Sequence, residues 1–519
     1  MDLNNVYIGI EFGSTRIKGV AIDKLGKVLA SGAHQWENEL KDGYWTYSLD
    51  SIQCGLQACF KALKDDFKAK QGIALTKAGA MGISAMMHGY LVFDKDDNLL
   101  VPFRTWRNVS AEKAGEELTK LFDYHIPARW SIAHLYQAIL DKEPHVKDIA
   151  FMTTLEGYVH YLLTGKKVIG IGEASGMFPI AEDGSGFEER RISIFDAILK
   201  ERGYPFRLSD ILPKTLIAGQ EAGILSSQGA LLLDPSGEFS SGIRLCPPEG
   251  DAETGMIATN SIKPLTGNVS SGTSIFASIV LDKPLKKAYP EIDLVATPLG
   301  KMVAMVHVNN CTSDINAYMG LFSEVLANFG AKVSQEELFV SLFKKSLEGE
   351  DDASGIISYN YLSGEPLTGI DNGHPLLYRS ASSSFTLPNF MRSLIYGSFA
   401  SLALGFDILA EEGIKIKELS GHGGLFKTSG VASKYMASAL NVPLRVASNA
   451  GEGGAWGSAV LASYLDVGME LEEYLDSVIF KDQTSIVELP EKKIKEGFAR
   501  YIAAYKKGLK AEKSLEEEN

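Results

Sequence analysis

Asp251 follows Cys246-Pro247-Pro248-Glu249-Gly250 and precedes Ala252-Glu253-Thr254-Gly255. A stiff Pro-Pro pair and a permissive glycine thus deliver a carboxylate to a predicted helix start. An aspartate there is either an ordinary helix cap or a base held in a fixed place. Phosphoryl transfer to an alcohol requires the second, a carboxylate that takes the hydroxyl proton as the new P–O bond forms. Beyond it, Val269-Ser270-Ser271-Gly272-Thr273-Ser274-Ile275 is an apolar run broken by a Gly-Thr-Ser turn. Near the N-terminus, Ile8-Gly9-Ile10-Glu11-Phe12-Gly13-Ser14-Thr15-Arg16-Ile17-Lys18 repeats the pattern, and Gly13 to Asp23 has the spacing of Gly272 to Asp282. Such a turn suits an anion. Glycine lets backbone amides approach, hydroxyls donate, and Lys18 adds a point charge. Two copies near the starts of the two halves predict a duplicated domain whose phosphate-holding turns face one cleft.

Two other groups carry donors and acceptors. Ala78 to Ser84 is apolar without alternation, which predicts a strand buried on both faces, and Met86-Met87-His88-Gly89 follows it. Trp106-Arg107-Asn108 follows another short apolar run. Ligands of open α/β sheets bind beyond the C-terminal strand ends. Met87, His88, Trp106, Arg107 and Asn108 are therefore candidates to hold a hydroxylated substrate. Late in the chain, Gly421-His422-Gly423-Gly424-Leu425 and the Ala450 to Ala459 cluster lack the terminal GK[ST] of a P-loop and a well-formed Rossmann fingerprint. A flat adenine ring can lie against such glycines.

Both hairpins need strands, and helices must frame them. A third strand is expected over Lys27 to Trp36, and a helix capped by Asp50 runs to about Lys70 with Ile52, Leu56, Cys59, Phe60 and Leu63 buried. Further helices are expected over 111–121, 132–141, 155–163, 192–202, 319–329 and 336–347. Glu173 to Gly176 reads as a loop, and 218–244 as irregular. The small residues of the long apolar helix 390–412 suggest packing between domains. The charged tail from Glu470 carries Phe498, Tyr501, Ile502 and Tyr505 at helical spacing, a docking stripe. At 519 residues, two large domains are expected, with boundaries at 1–260 and 261–519.

The formal charge of −14 argues against a nucleic-acid partner. No apolar run reaches the roughly 18 residues of a membrane span. Cys54, Cys59, Cys246 and Cys311 show no metal-ligand spacing and fit a reducing compartment, so a cytoplasmic protein is expected, with a homodimer left open. There is no GxSxG elbow around Ser382-Ser383-Ser384, which excludes that class of hydrolase site.

Taken together, the two hydroxyl-rich hairpins, Gly250-Asp251 and the late glycine turn resemble the FGGY carbohydrate kinases, from about Tyr7 to Tyr464. Met87-His88-Gly89 is similar to the Met-His-Gly loop of xylulokinases. The resemblance implies an α/β fold of two duplicated ribonuclease-H-like domains of the actin-like ATPase superfamily, with a central cleft. It implies ATP-dependent phosphorylation of a sugar hydroxyl, with Asp251 as general base. Gly13, Ser14, Thr15, Lys18, Gly272, Thr273 and Ser274 would hold the phosphates. Gly421, Gly423, Gly424 and Leu425 would hold the adenosine, and Mg²⁺ would bridge the phosphates near Glu11. The chain departs from the family pattern at Glu11 (commonly Asp), Met86 (Gln in xylulokinases), Asn108 (a carboxylate), Glu173 (Asp), His134 (commonly Lys) and Tyr435 (Gln). A ketopentose such as xylulose is the expected substrate. Another ketose or polyol kinase, or an actin-like nucleotide switch without sugar dependence, are the alternatives.

Overall fold

In the computed structural model, which describes residues 1–447 and 453–516, the chain builds two seven-stranded mixed sheets on one plan. The first holds β1 (Val6–Phe12), β2 (Arg16–Asp23), β3 (Val28–Gln35), β4 (Ala80–Ala85) and β5 (Arg244–Leu245) in the order β3-β2-β1-β4-β5. β1 and β2 form the expected antiparallel hairpin, with Phe12 opposite Ile17, and β4 joins β1 in parallel, with Ala85 opposite Phe12. The second sheet repeats this with β6 (Thr266–Ser271), β7 (Ile275–Val280), β8 (Met302–Val308), β9 (Glu418–Gly423) and β10 (Leu444–Ala447), in the order β8-β7-β6-β9-β10. Here too the first pair is antiparallel and β9 joins β6 in parallel.

β4 is buried at all six positions because it lies between neighbours on both edges and under packed layers on both faces. Helix α1 (Leu49–Gln71) covers one face of the first sheet with the expected apolar residues, extended by Phe67. Its cap is Ser48 rather than Asp50: the Ser48 hydroxyl accepts the Ser51 amide at 3.1 Å. Two other expectations are corrected. Residues 173–176 belong to a helix, α2 (Ile171–Met177), and 218–244 contains the helix Ser227–Leu233.

Helix α3 (Asp251–Ala258) starts just after the short strand Glu249–Gly250, which pairs in parallel with the end of β4. The 25-residue α4 (Leu387–Glu411) is apolar and long enough to cross a membrane by composition alone, yet most of it is buried inside the second half's own core. It does not pack between the halves as its small residues suggested. That position belongs to α5 (Gly453–Tyr464), which comes from the second half and lies on β1, β4 and α3 of the first. The fit depends on small residues: a Cβ on Gly9 would lie 1.9 Å from the Ala455 carbonyl oxygen, and one on Gly457 would lie 2.0 Å from that of Thr254. The closing helix α6 (Lys492–Glu516) buries Phe498, Tyr501 and Tyr505 against the second core, as its stripe predicts; Ile502 packs at its margin. Ala450, Gly451 and Glu452 of the last glycine cluster, and Glu517 and Glu518 of the tail, lie outside the described residues.

Candidate active site

Several of the sequence-predicted residues lie in turns just beyond strand ends. The first turn, Gly13 to Thr15, is fixed through its carbonyls: Trp36 Nε1 donates to Gly13 O at 2.7 Å and the Tyr47 hydroxyl to Ser14 O at 2.6 Å. The indole of Trp106, more than a third exposed, donates to the Ser14 hydroxyl at 3.3 Å and forms a wall beside this turn. The second turn is held the same way, with the Thr312 hydroxyl donating to Gly272 O at 2.7 Å and the Cys311 amide to Thr273 O at 2.8 Å. Gly272 and Thr273 remain exposed. Gly423 lies opposite Ser271 at φ 104°, and a Cβ there would sit 2.0 Å from Ser271 O, so only glycine fits. Gly424 beside it opens onto empty space, whereas the Leu425 side chain is buried in the core and leaves only its backbone for a ligand.

Asp251 is the first residue of α3, with Gly250 as the cap. Its Oδ1 accepts the Met87 amide at 3.3 Å, and its carboxylate opens to the cleft while protein walls it on the other sides. That crowding, and secondarily the charge of Glu11, pushes it up to about 6. The group is then mostly ionised at neutral pH yet near the operating range of a general base.

His88 sits behind Asp251 in the left-handed region, at φ 69°, which costs a non-glycine residue about 1–3 kcal/mol. Two contacts hold it there: its amide donates to Glu173 Oε1 at 2.9 Å, and Nδ1 pairs with Gly176 O at 3.2 Å. Since a carbonyl only accepts, Nδ1 carries the proton and Nε2 is left as an acceptor. Burial, then the charge of Arg129, lowers the imidazole to about 3, so the ring is neutral.

Arg107 and Asn108 make contacts within the aromatic loop. The Arg107 guanidinium lies 4.4 Å over the Trp45 ring. The Asn108 amide is consumed by backbone, accepting the Trp45 amide at 2.8 Å and donating to Trp45 O at 2.9 Å and Thr105 O at 3.0 Å. Asn108 therefore shapes the aromatic loop. Sequence reasoning missed the wall from the second half, where Asp293 ion-pairs with Arg129 and lies 3.3 Å from His125. Burial alone would raise the Asp293 carboxylate, but Arg129 and His125 outweigh it and hold it low.

Glu11 pairs in register with Lys18, whose Nζ lies 3.9 Å from Glu11 Oε2. The same oxygen accepts the Ala455 amide at 3.3 Å, so the extra methylene brings the carboxylate to the first turn of α5. Burial raises it, against Lys18 and the amide. Oε1 accepts no hydrogen bond from the described residues. No cluster of three or more His, Cys, Asp or Glu among the described residues makes a protein-only metal cage. A single carboxylate just ahead of the Gly13 turn is a donor set that fits Mg²⁺, an ion that keeps several waters and needs few protein ligands.

Four carboxyls pack near Asp251: Glu156, Glu173, Glu249 and Glu253, all essentially inaccessible; of these, sequence reasoning marked only Glu173, as a departure from the family pattern. Glu249 and Glu253 flank Asp251, but Glu156 and Glu173 come from far earlier in the chain, so no local signal marks the four as one group. Burial is the main cause that raises all four, and for Glu249 it does so to about 8. The native state then binds more protons at these sites than the unfolded chain does. Their stabilising contribution is full below the unfolded value of about 4.3 and is lost as pH rises through the folded values. The buried, lowered His88, His134 and His160 act oppositely, but only below the unfolded value of about 6.5. Between about pH 6.5 and 8 the carboxyls therefore dominate. The melting temperature is expected to fall across that window, and Glu253→Gln to flatten the fall in a calorimetric series.

Comparison with known proteins agrees with this architecture. The N-terminal domain of the FGGY family of carbohydrate kinases matches residues 6–182, and its C-terminal domain matches 267–465. Xylulose kinase of Haemophilus influenzae is 23% identical over 504 residues, covering 92% of this chain and 94% of that protein. Among solved structures, ligand-bound xylulose kinase from Lactobacillus acidophilus superposes with a TM-score of 0.79 at 18% identity, covering 98% of this chain and 99% of that one. Plasmodium falciparum glycerol kinase with ADP reaches 0.75 at 15% identity, covering 98% of each. The fold is thus the two-domain, ribonuclease-H-like and actin-like α/β fold with a cleft between the halves. With both domain models matched in order around one cleft, the chain belongs to the FGGY family of carbohydrate kinases.

Proposed function

We propose that this kinase transfers the γ-phosphate of ATP to a hydroxyl of a ketopentose, xylulose first among the candidates. The observation that carries the reading is Asp251 at the head of α3, bonded to the Met87 amide next to His88 and close enough to Glu11 to feel its charge. The near full-length likeness to a xylulose kinase supports the sugar class. In this reading residues 1–260 carry the sugar site and first phosphate turn, and 261–519 the nucleotide site. Met87, His88 and Trp106 contact the sugar, and Arg107 and Asn108 hold the loop around it. His88 Nε2 accepts a sugar hydroxyl. Gly13, Ser14, Thr15 and Lys18 meet the phosphates from one side, Gly272, Thr273 and Ser274 from the other. The backbone from Gly421 to Leu425 carries the adenosine. The sugar oxygen attacks the γ-phosphorus, the bond to the β,γ-bridging oxygen breaks, and the hydroxyl proton passes to Asp251. Mg²⁺, near Glu11 Oε1, would neutralise phosphate charge. Excluding water from the closed cleft makes the sugar rather than water the acceptor. The four free cysteines support a reducing, cytoplasmic setting.

A kinase of another ketose or a polyol is the second reading, favoured by the comparable superposition on a glycerol kinase. A coupled ADP-release assay over xylulose, ribulose, rhamnulose and glycerol separates the two. Xylulose is expected to give a kcat/KM at least about tenfold above the others, a 1.4 kcal/mol preference. A higher value for a polyol would overturn the ketopentose assignment.

A further inference from the structure

The buried carboxyls behind Asp251 are a built feature. Gly170, Gly172 and Gly250 make the room: a Cβ on Gly170 would lie 2.4 Å from Glu249 Oε1, and one on Gly172 would lie 2.6 Å from Glu249 Oε2 and 2.3 Å from Glu253 Cγ. A Cβ on Gly250 would lie 2.5 Å from both Glu173 Oε2 and Glu253 Oε2, so both oxygens crowd the glycine that precedes the base. Glu249 Oε2 accepts the Glu173 amide at 3.0 Å, which ties the group to α2. Glu173 Oε2, Glu249 Oε1 and both Glu253 oxygens are buried with no hydrogen-bond partner among the described residues. No Lys or Arg among the described residues ion-pairs with any of the four.

Buried carboxylates without cations are costly, and a proton on one member supplies the donor that its neighbour lacks. We propose that Glu173 is the positioning residue of the Met87-His88 sugar loop, and that Glu173, Glu249 and Glu253 hold shared protons as an uncharged support behind Asp251. Glu173 Oε1 clamps the His88 amide in its left-handed conformation, while Oε2 is stabilised by the shared proton. The groups that bear on this cluster come from every element packed on it. They are Glu156 from the helix Leu155–Thr164, Glu249 and Cys246 from the chain before α3, Asp251 and Glu253 from α3, and His88 from the loop after β4. Asp251 in turn feels Glu11 of β1. All except His88 and the thiol are acids. The negative charge of Asp251 is one of the causes that keep Glu156, Glu173 and Glu253 protonated. The site therefore holds one anion, at the base, while the cluster stays neutral. Ionising the cluster at high pH would add repulsion against Asp251 and break the shared-proton contacts that hold the sugar loop.

The inference rests on the sugar-kinase reading, and its test separates the two. Steady-state kinetics of the full chain across pH are measured for wild type, Glu173→Leu, Glu173→Gln and Glu253→Gln, with melting temperatures alongside. Glu173→Leu is expected to raise the sugar KM about tenfold or more with little change in the ATP KM, as loss of a buried hydrogen bond to the loop requires. Glu173→Gln, neutral and able to accept the His88 amide, is expected to recover most of that loss. Glu253→Gln, with one acid fewer to ionise, is expected to flatten the alkaline limb of the sugar kcat/KM. Infrared spectra of the unliganded protein at neutral pH are expected to show carboxylic-acid carbonyl bands that weaken in Glu253→Gln. A Glu173→Gln variant as impaired as Glu173→Leu would overturn the proposal by showing that an ionised carboxylate is needed. An unchanged sugar KM in Glu173→Leu, or absence of the acid bands from wild type, would overturn it too. Should Glu173→Leu fail to fold, the Gln variants and the infrared bands decide. A wild type without sugar-dependent turnover would sink the kinase reading while leaving the infrared result to stand or fall alone.

Discussion

Asp251→Asn is expected to lower kcat for sugar phosphorylation by about 10²–10⁴-fold, the usual worth of a positioned general base. Asparagine keeps the side chain's shape, and its Oδ1 can still accept the Met87 amide, so the Met87-His88 loop stays in place. What is lost is the ability to take the hydroxyl proton. Asp251 lies on α3 of the first half, whereas Gly272 to Ser274 and Gly421 to Leu425 belong to the second. ATP affinity should therefore change by less than about threefold, under 1 kcal/mol. The pH profile gives a further check. A base must be ionised to act, so wild-type kcat/KM should decline as pH falls through about 6. The residual activity of Asp251→Asn should lack that limb. Near-normal turnover by the variant would remove Asp251 from the mechanism.

Gly9→Ala is expected to be among the most destabilising single-methyl changes in the chain. Its Cβ would lie 1.9 Å from the Ala455 carbonyl oxygen and 2.5 Å from the Ala459 amide nitrogen, both backbone atoms of α5. No rotamer change can relieve such an overlap, so either β1 or the whole helix must shift. Overpacking of this kind costs about 1–3 kcal/mol and sometimes more, roughly 2–12 °C in melting temperature for a domain of this size. Gly19→Ala is the internal control. Its nearest neighbours are flexible side chains, Cys59 Sγ at 3.3 Å and Leu63 Cδ2 at 3.4 Å, so a loss below about 1 kcal/mol is expected. The Gly9 variant should also lower kcat, because Glu11 contacts the start of α5 two residues further along β1. Equal stability of the two variants in thermal unfolding would contradict the close packing described for this interface.

The hairpins, the buried β4 and the place of Asp251 were legible because glycine, hydroxyl and apolar residues recur there at fixed spacing. The crossing of α5 was not. The small residues Ala455, Gly457, Ser458 and Ala459 would suit close packing on either sheet, and the need for Gly9 appears only when the two halves meet. α2 was read as a loop because Ile171-Gly172-Glu173-Ala174-Ser175-Gly176-Met177 carries two glycines in seven residues. Tertiary packing overrides that poor propensity, since the missing side chains make room for Glu249 and Glu253 at one end and for His88 at the other. Asn108 has the donors and acceptors of a sugar ligand, but sequence does not reveal that the Trp45 backbone takes them. Glu11 was marked as a metal-side departure. Its reach to the Ala455 amide adds a contact between the halves that a sequence pattern does not contain.

The central claim is transfer of phosphate to a sugar rather than to water, and γ-labelled ATP tests it directly. Purified protein with xylulose should place the label on the sugar, one for one with the ADP formed, and do almost nothing without sugar. Label appearing as inorganic phosphate at a rate indifferent to every sugar offered would contradict the account and favour an actin-like nucleotide switch.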